Sequence, residues 1–117
     1  MTKNIGITDY FASTVVAEAY EPFIVDGEAA GEVHWIRNGG SGGSMLAVGL
    51  WKSEPATFPY PFGDDETIHV LEGELDIELA SGEVVSLTPG DVVSFPKGTE
   101  STWTVRSPFK KLFVISG

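Results

Sequence analysis

Few side chains in this sequence can do chemistry. Its two histidines are His34, in the stretch EVHWIR, and His69, in DDETIHVLEG, three residues after Glu66. A carboxylate with two imidazoles is a workable ligand set for a divalent metal, so Glu66, His34 and His69 form one candidate metal triad. Strand parity opposes it. Three residues apart on a strand, Glu66 and His69 point to opposite faces, and only a bulge would bring them together. The chain has no cysteine, which excludes disulfides, thiolate catalysis and thiolate metal sites. The glycine loop NGGSGGS, Asn38 to Ser44, lacks the Lys-Ser/Thr and helix start of a phosphate-binding loop, and there is no nucleophile elbow. Asp64 and Asp65 read as solvated loop carboxylates.

The elements that must hold these residues are strands. After Gly31 the sequence runs through EVHWIR, MLAVGLW, ETIHVLEG, ELDIEL, EVVSL, DVVSF, STWTVR and KKLFVIS, separated by the turns ASGE, TPGD, PKGT and RSPF. Proline and glycine preset the turn dihedrals at those points. Leu75, Ile77 and Leu79 alternate with Glu74, Asp76 and Glu78, giving one buried and one wet face of an antiparallel sheet. ASTVVAEAY, Ala12 to Tyr20, suits one short helical turn or a strand. Many short, regularly punctuated strands predict an all-β sandwich or small barrel, and closure removes open sheet edges. The length of 117 residues fits a single domain spanning 1–117, with residues 1–30 adding an arm or extra strand. A hydrophobic share of 42% is enough for a core, though a domain of this size gains from self-association.

The charge is −10, from 7 basic and 17 acidic residues. Such a surface repels phosphate backbones and anionic headgroups, so neither nucleic acid nor membrane is an expected partner. No apolar run approaches a membrane span. MTKNIGITDY lacks the apolar segment of a secretory signal. The expectation is a soluble, cytoplasmic protein.

Two segments resemble the two motifs of the cupin superfamily of small jelly-roll barrels. ETIHVLEG is similar to the back half of the first motif, with Glu66 as its glutamate and Gly73 as its closing glycine. GDVVSFPKG is similar to the first half of the second, with Gly90, Pro96 and Gly98 in register. The resemblance covers residues 45–117. Within the superfamily, LWKSEPATF, DDETIHVLEG, GDVVSFPKG, STWTV and FKKLFVI look like the small single-domain cupins related to the ethanolamine-utilisation cupin and the ureidoglycine aminohydrolases. It implies a single-domain, RmlC-like jelly-roll β-barrel, and a homodimer.

The departures from the family pattern bear on function. The two histidine positions of the first motif fall at Tyr60 and Phe62, and the third histidine falls at Ser101. Of four expected ligands only Glu66 survives. Phenylalanine cannot ligate, and serine is a poor ligand for first-row metals. No metal cofactor is therefore expected. Glu66 is either a general acid or base in a desolvated interior, or a carboxylate neutralised by a nearby cation. Trp103 shares a face with Ser101 and either fills space or stacks on a flat ligand opposite Tyr60. Of Lys110 and Lys111, the resemblance makes Lys111 the inward one, able to pair with Glu66 or bind a substrate carboxylate; otherwise both are exposed at a strand end. Three functions follow. The first is a metal-free barrel binding a small carboxylate- or amide-bearing metabolite through Tyr60, Phe62, Glu66, Ser101, Trp103 and Lys111. The second is a metal-dependent enzyme on small nitrogenous metabolites using Glu66, His34 and His69. The third is a non-catalytic partner-binding protein whose barrel is plugged by its own aromatic rings.

Overall fold

The computed structural model describes residues 2–5, 8–13 and 19–117. Residues 14–18, within the stretch that suits either helix or strand, lie outside the described residues. In chain order the elements are β1 (Thr2–Ile5), β2 (Thr8–Phe11), β3 (Glu21–Val25), β4 (Glu28–Asn38), a 3₁₀ turn (Ser41–Gly43), β5 (Leu46–Ser53) and β6 (Ala56–Pro59). They continue with β7 (Asp65–Glu72), β8 (Leu75–Leu79), β9 (Val84–Leu87), β10 (Val92–Phe95), β11 (Ser101–Val105) and β12 (Phe109–Ser116). The strands legible in the sequence all form, each within two residues at its C-terminal end. β1, β2 and β3 fall in residues 1–30, where an arm or extra strand was expected, and β6 was not legible. β6 follows Pro55 and ends on Pro59, and proline is accommodated at a sheet edge because no ladder donor is required there.

β1 and β2 pair with each other. The remaining strands make two antiparallel sheets, one in the order β10-β7-β12-β5-β4-β3 and the other in the order β6-β11-β8-β9. The two sheets face one another in the expected jelly-roll arrangement. They are not closed into one continuous barrel: β3 and β10 end one sheet and β6 and β9 the other, and no ladder joins the two sheets among the described residues.

Period-two alternation decides what enters the lumen. On β7, Glu66, Ile68 and Val70 are buried; on β8, Leu75 and Ile77; on β11, Trp103 and Val105; on β12, Phe109, Lys111 and Phe113. Ile68, Leu75 and Ile77 are wholly buried, and each such aliphatic side chain contributes about 1.5–3 kcal/mol. The outward faces of the two sheets differ. The four-stranded sheet shows Asp76, Glu78, Thr102 and Thr104, whereas the central strands of the six-stranded sheet show half-buried Val48, Leu112 and Val114.

Two local features set the geometry of the site. Gly73, at the end of β7, has φ +82°, and a Cβ there would lie 2.9 Å from the Phe109 backbone, so only glycine fits the turn. Beside it, Leu71 is an extra residue on β7 opposite the Lys110–Lys111 step of β12, a β-bulge: Lys110 pairs with Glu72 and Lys111 with Val70. Lys111 lies on the inward face through the unbroken alternation of β12, in line with Phe109 and Phe113.

Candidate functional site

The site is built on β7, β11 and β12. Glu66 projects from the start of β7 into the lumen and is 2% exposed; Lys111 reaches it from β12 and is 3% exposed. Lys111 Nζ donates to Glu66 Oε2 at 2.8 Å, and the Tyr60 hydroxyl donates to Glu66 Oε1 at 2.7 Å. Both carboxylate oxygens are thus satisfied, and among the described residues no buried side-chain polar atom lacks a partner.

Tyr60 lies just beyond β6 and is clamped to β11. Its N–H donates to the Ser101 carbonyl at 2.8 Å, and the Ser101 hydroxyl donates to the Tyr60 carbonyl at 2.6 Å. The Trp103 indole N–H donates to that same hydroxyl oxygen at 3.1 Å. Trp103 then covers the ion pair: Lys111 Nζ lies 4.3 Å from its ring centroid, within cation–π range. The Tyr60 ring lies 4.4 Å from Trp103, and Trp51 meets Trp103 edge-on at 5.7 Å. Trp51 is held in turn by a hydrogen bond from its indole N–H to the Ala30 carbonyl at 2.8 Å.

Burial shifts both partners of Glu66. It pushes the Lys111 ammonium below its usual range, and the charge and hydrogen bond of Glu66 only partly offset this. Burial also holds the Tyr60 phenol far above its usual range, helped by the charge of Glu66 and by the hydrogen bond to it. Tyr60 therefore remains a hydroxyl donor at all ordinary pH.

The structure brings Tyr60, Glu66, Trp103 and Lys111 around one void. Phe62 and Ser101 do not line it. Phe62 stacks on Phe95 at 4.7 Å, and the Ser101 hydroxyl is engaged by Tyr60 and Trp103. The other lining residues are Phe23, Ala30, Trp51, Phe58, Phe113 and Ile115. Of these, Trp51 was within reach of parity reasoning along MLAVGLW, because it shares a face with Ala47 and Gly49. The void is about 10 Å³, room for one water molecule. Outside it, a surface cleft of about 330 Å³ runs from the β3–β4 turn to β6, and the two spaces share only Ala30 and Phe58 as lining residues.

The triad of Glu66, His34 and His69 does not form. His69 lies on the outward face of β7, opposite in parity to Glu66. His34 is also outward, on β4, where its Nδ1–H donates to the Ala19 carbonyl and Nε2 meets the Ser13 hydroxyl, both at 2.9 Å. His69 and His34 are separated across the row His69–Leu112–Leu50–His34, three strand spacings or roughly 14 Å. Among the described residues no group of three or more His, Asp or Glu side chains is arranged to hold a metal ion. The four positions matching the family's ligands fit a divalent cation no better. They supply a single carboxylate, and the Lys111 ammonium already sits against it.

Comparison with known proteins adds the family context. The sequence model of one family, described as a EutQ-like cupin domain, matches residues 40–113. No curated protein matches the chain. A DUF861 family protein from Thermotoga maritima superposes with a TM-score of 0.53 at 31% identity, over 55% of this chain and 73% of that one. A putative ethanolamine utilization protein Q from Salmonella typhimurium LT2 superposes with a TM-score of 0.65 at 23% identity, over 84% of this chain and 94% of that one. KdgF from Halomonas sp. gives 0.64 at 20% identity, over 84% and 86%. The last two show the shared fold alone.

Proposed function

We propose that this chain, which belongs to the EutQ-like cupin family, is a metal-independent cupin that binds a small carboxylate- or amide-bearing metabolite at Lys111, Glu66 and Tyr60. The observation that carries this reading is the buried Lys111–Glu66 pair at 2.8 Å under Trp103. Apolar residues of similar volume would fill a barrel at lower desolvation cost, and such perturbed groups concentrate at functional sites. The ammonium would receive the ligand's carboxylate or amide oxygen. The Tyr60 hydroxyl would orient it, and Glu66 would exchange protons with whatever the lysine holds. The ligand would come from the outer cleft past Phe58, displacing rings that now close the lumen.

The test follows the indole N–H resonances of Trp51 and Trp103 while small carboxylates and primary amides are added. Saturable shifts at these two, with Trp35 unmoved, are expected. A second reading, a plugged partner-binding barrel, is favoured by the 10 Å³ void, since metabolite pockets span some 300–1,000 Å³. A complete panel without indole shifts would replace the first reading by the second.

The same proposal takes the protein as a homodimer. Support comes from the outward Val48, Leu112 and Val114 on the central strands of the six-stranded sheet. A sheet with one wet face would carry polar residues there.

A further inference from the structure

The ligand reading above leaves open what the buried amine does beyond holding charge. We propose that Lys111 is a nucleophile that forms an imine with small aldehydes or ketones, with Glu66 as the group that takes and returns its proton. This rests on the lumen being the binding site and names a narrower substrate class for it.

Three arrangements support it. First, Lys111 Nζ and Glu66 Oε2 are in direct hydrogen-bond contact at 2.8 Å, so the proton can pass from nitrogen to oxygen without a water relay. Second, a wall of aromatic rings encloses the pair, and a desolvated lysine is the form that attacks carbonyl carbon. Burial acts in that direction on Lys111, lowering the cost of its neutral state. Third, the small void borders Lys111, Glu66 and Tyr60 together. A carbonyl oxygen placed there would meet the Tyr60 hydroxyl and Glu66 while its carbon faced Nζ. The dry lining would then protect the imine from hydrolysis.

The step balances. Nζ gives a proton to Glu66 and attacks the carbonyl carbon, forming the C–N bond. The carbonyl oxygen takes the second nitrogen-bound proton to give a carbinolamine. Glu66 returns its proton to that hydroxyl, the C–O bond breaks, and water leaves. The products are one protonated imine at Lys111 and one water, with Glu66 again a carboxylate and no oxidant or reductant consumed. The void as it stands holds one water molecule, so even the smallest carbonyl compound must displace the surrounding rings, and Phe58 stands between it and the outer cleft.

The experiment treats the full chain with one equivalent of acetaldehyde and sodium cyanoborohydride at pH 7. Ethylation is mapped by peptide mass spectrometry, and the indole resonances are followed in parallel. Lys111 is expected to be modified at least 10-fold faster than the exposed Lys97. Phe58→Ala should raise that rate, and Lys111→Arg, which keeps a cation, should abolish the adduct while far-UV circular dichroism confirms the fold. Indole shifts without an adduct at Lys111 would overturn the imine and leave the binding reading intact. Neither shifts nor adduct, with Lys97 modified, would overturn both.

Discussion

Replacing Lys111 by methionine separates the two things the buried pair could be for. Lys111→Met leaves the Glu66 carboxylate, 2% exposed, with the Tyr60 hydroxyl as its remaining partner. Removing one member of a buried pair costs about 3–5 kcal/mol, because the other charge is left uncompensated. A 117-residue domain has a total stability of about 6–18 kcal/mol at ~0.05–0.15 kcal/mol per residue, so the variant should fold but lose a large part of its margin. The triple variant Tyr60→Phe, Glu66→Met, Lys111→Met removes all three polar groups at similar volume. It is expected within about 1 kcal/mol of the parent, or above it, since apolar replacement of a buried ion pair is neutral or stabilising. Urea titration at pH 7, followed by tryptophan emission and far-UV circular dichroism, gives both numbers if the slopes agree. A loss below about 1 kcal/mol for Lys111→Met, or a triple variant as weak as the single one, would refute the reasoning. The first outcome would mean the pair is not desolvated in solution, and the second that it is there for stability.

Three further outcomes are expected. Lys111 has a folded-state pKa below its usual 10.5, so between the two values the unfolded chain holds more protons and stability rises with pH. Tyr60 is raised above its usual 10.0, so its contribution is complete below that pH and falls above it. Urea midpoints should therefore climb toward pH 10 and then drop. Lys111→Met should remove the climb and Tyr60→Phe the drop, and a profile unchanged in both variants would contradict the assignments. Light scattering should give the mass of two chains, with Val114→Lys shifting the protein toward one; a monomeric parent would remove the dimer proposal. Elemental analysis of untagged protein should find far less than one equivalent of iron, manganese, nickel or zinc. One equivalent lost on Glu66→Ala would overturn metal independence.

The strands from EVHWIR onward were legible because their punctuation and alternation report local backbone demands. EPFIV and ATFP, which form β3 and β6, were not set out as strands: each carries a proline, Pro22 or Pro59, which weakens a strand reading. The inward placement of Glu66 and Trp103 followed from motif register and parity. Lys111 facing Glu66 from 45 positions away is a tertiary pairing, and only the family resemblance pointed to it. The metal triad failed where parity opposed it, and no bulge lies between Glu66 and His69 to reverse the geometry. The closed lumen was not legible, because it depends on how Trp51, Trp103, Tyr60 and Phe58 tilt against one another.

The bulge beside Lys111 has a consequence for how the strands find their alignment. A one-residue slip of β12 against β7 would turn Leu112 and Val114 inward and Phe113 and Ile115 outward. Both sets are apolar, so hydrophobic burial separates the two alignments weakly. Charge separates them by the direction of the slip: if Leu112 takes the place of Lys111, Glu66 faces hydrocarbon, whereas the opposite slip brings Lys110 into that place. The Lys111–Glu66 pair thus guards the sheet against a slip in one direction. The apolar triple variant, even if equally stable, should sample both registers, and doubled amide resonances along β12 would reveal it.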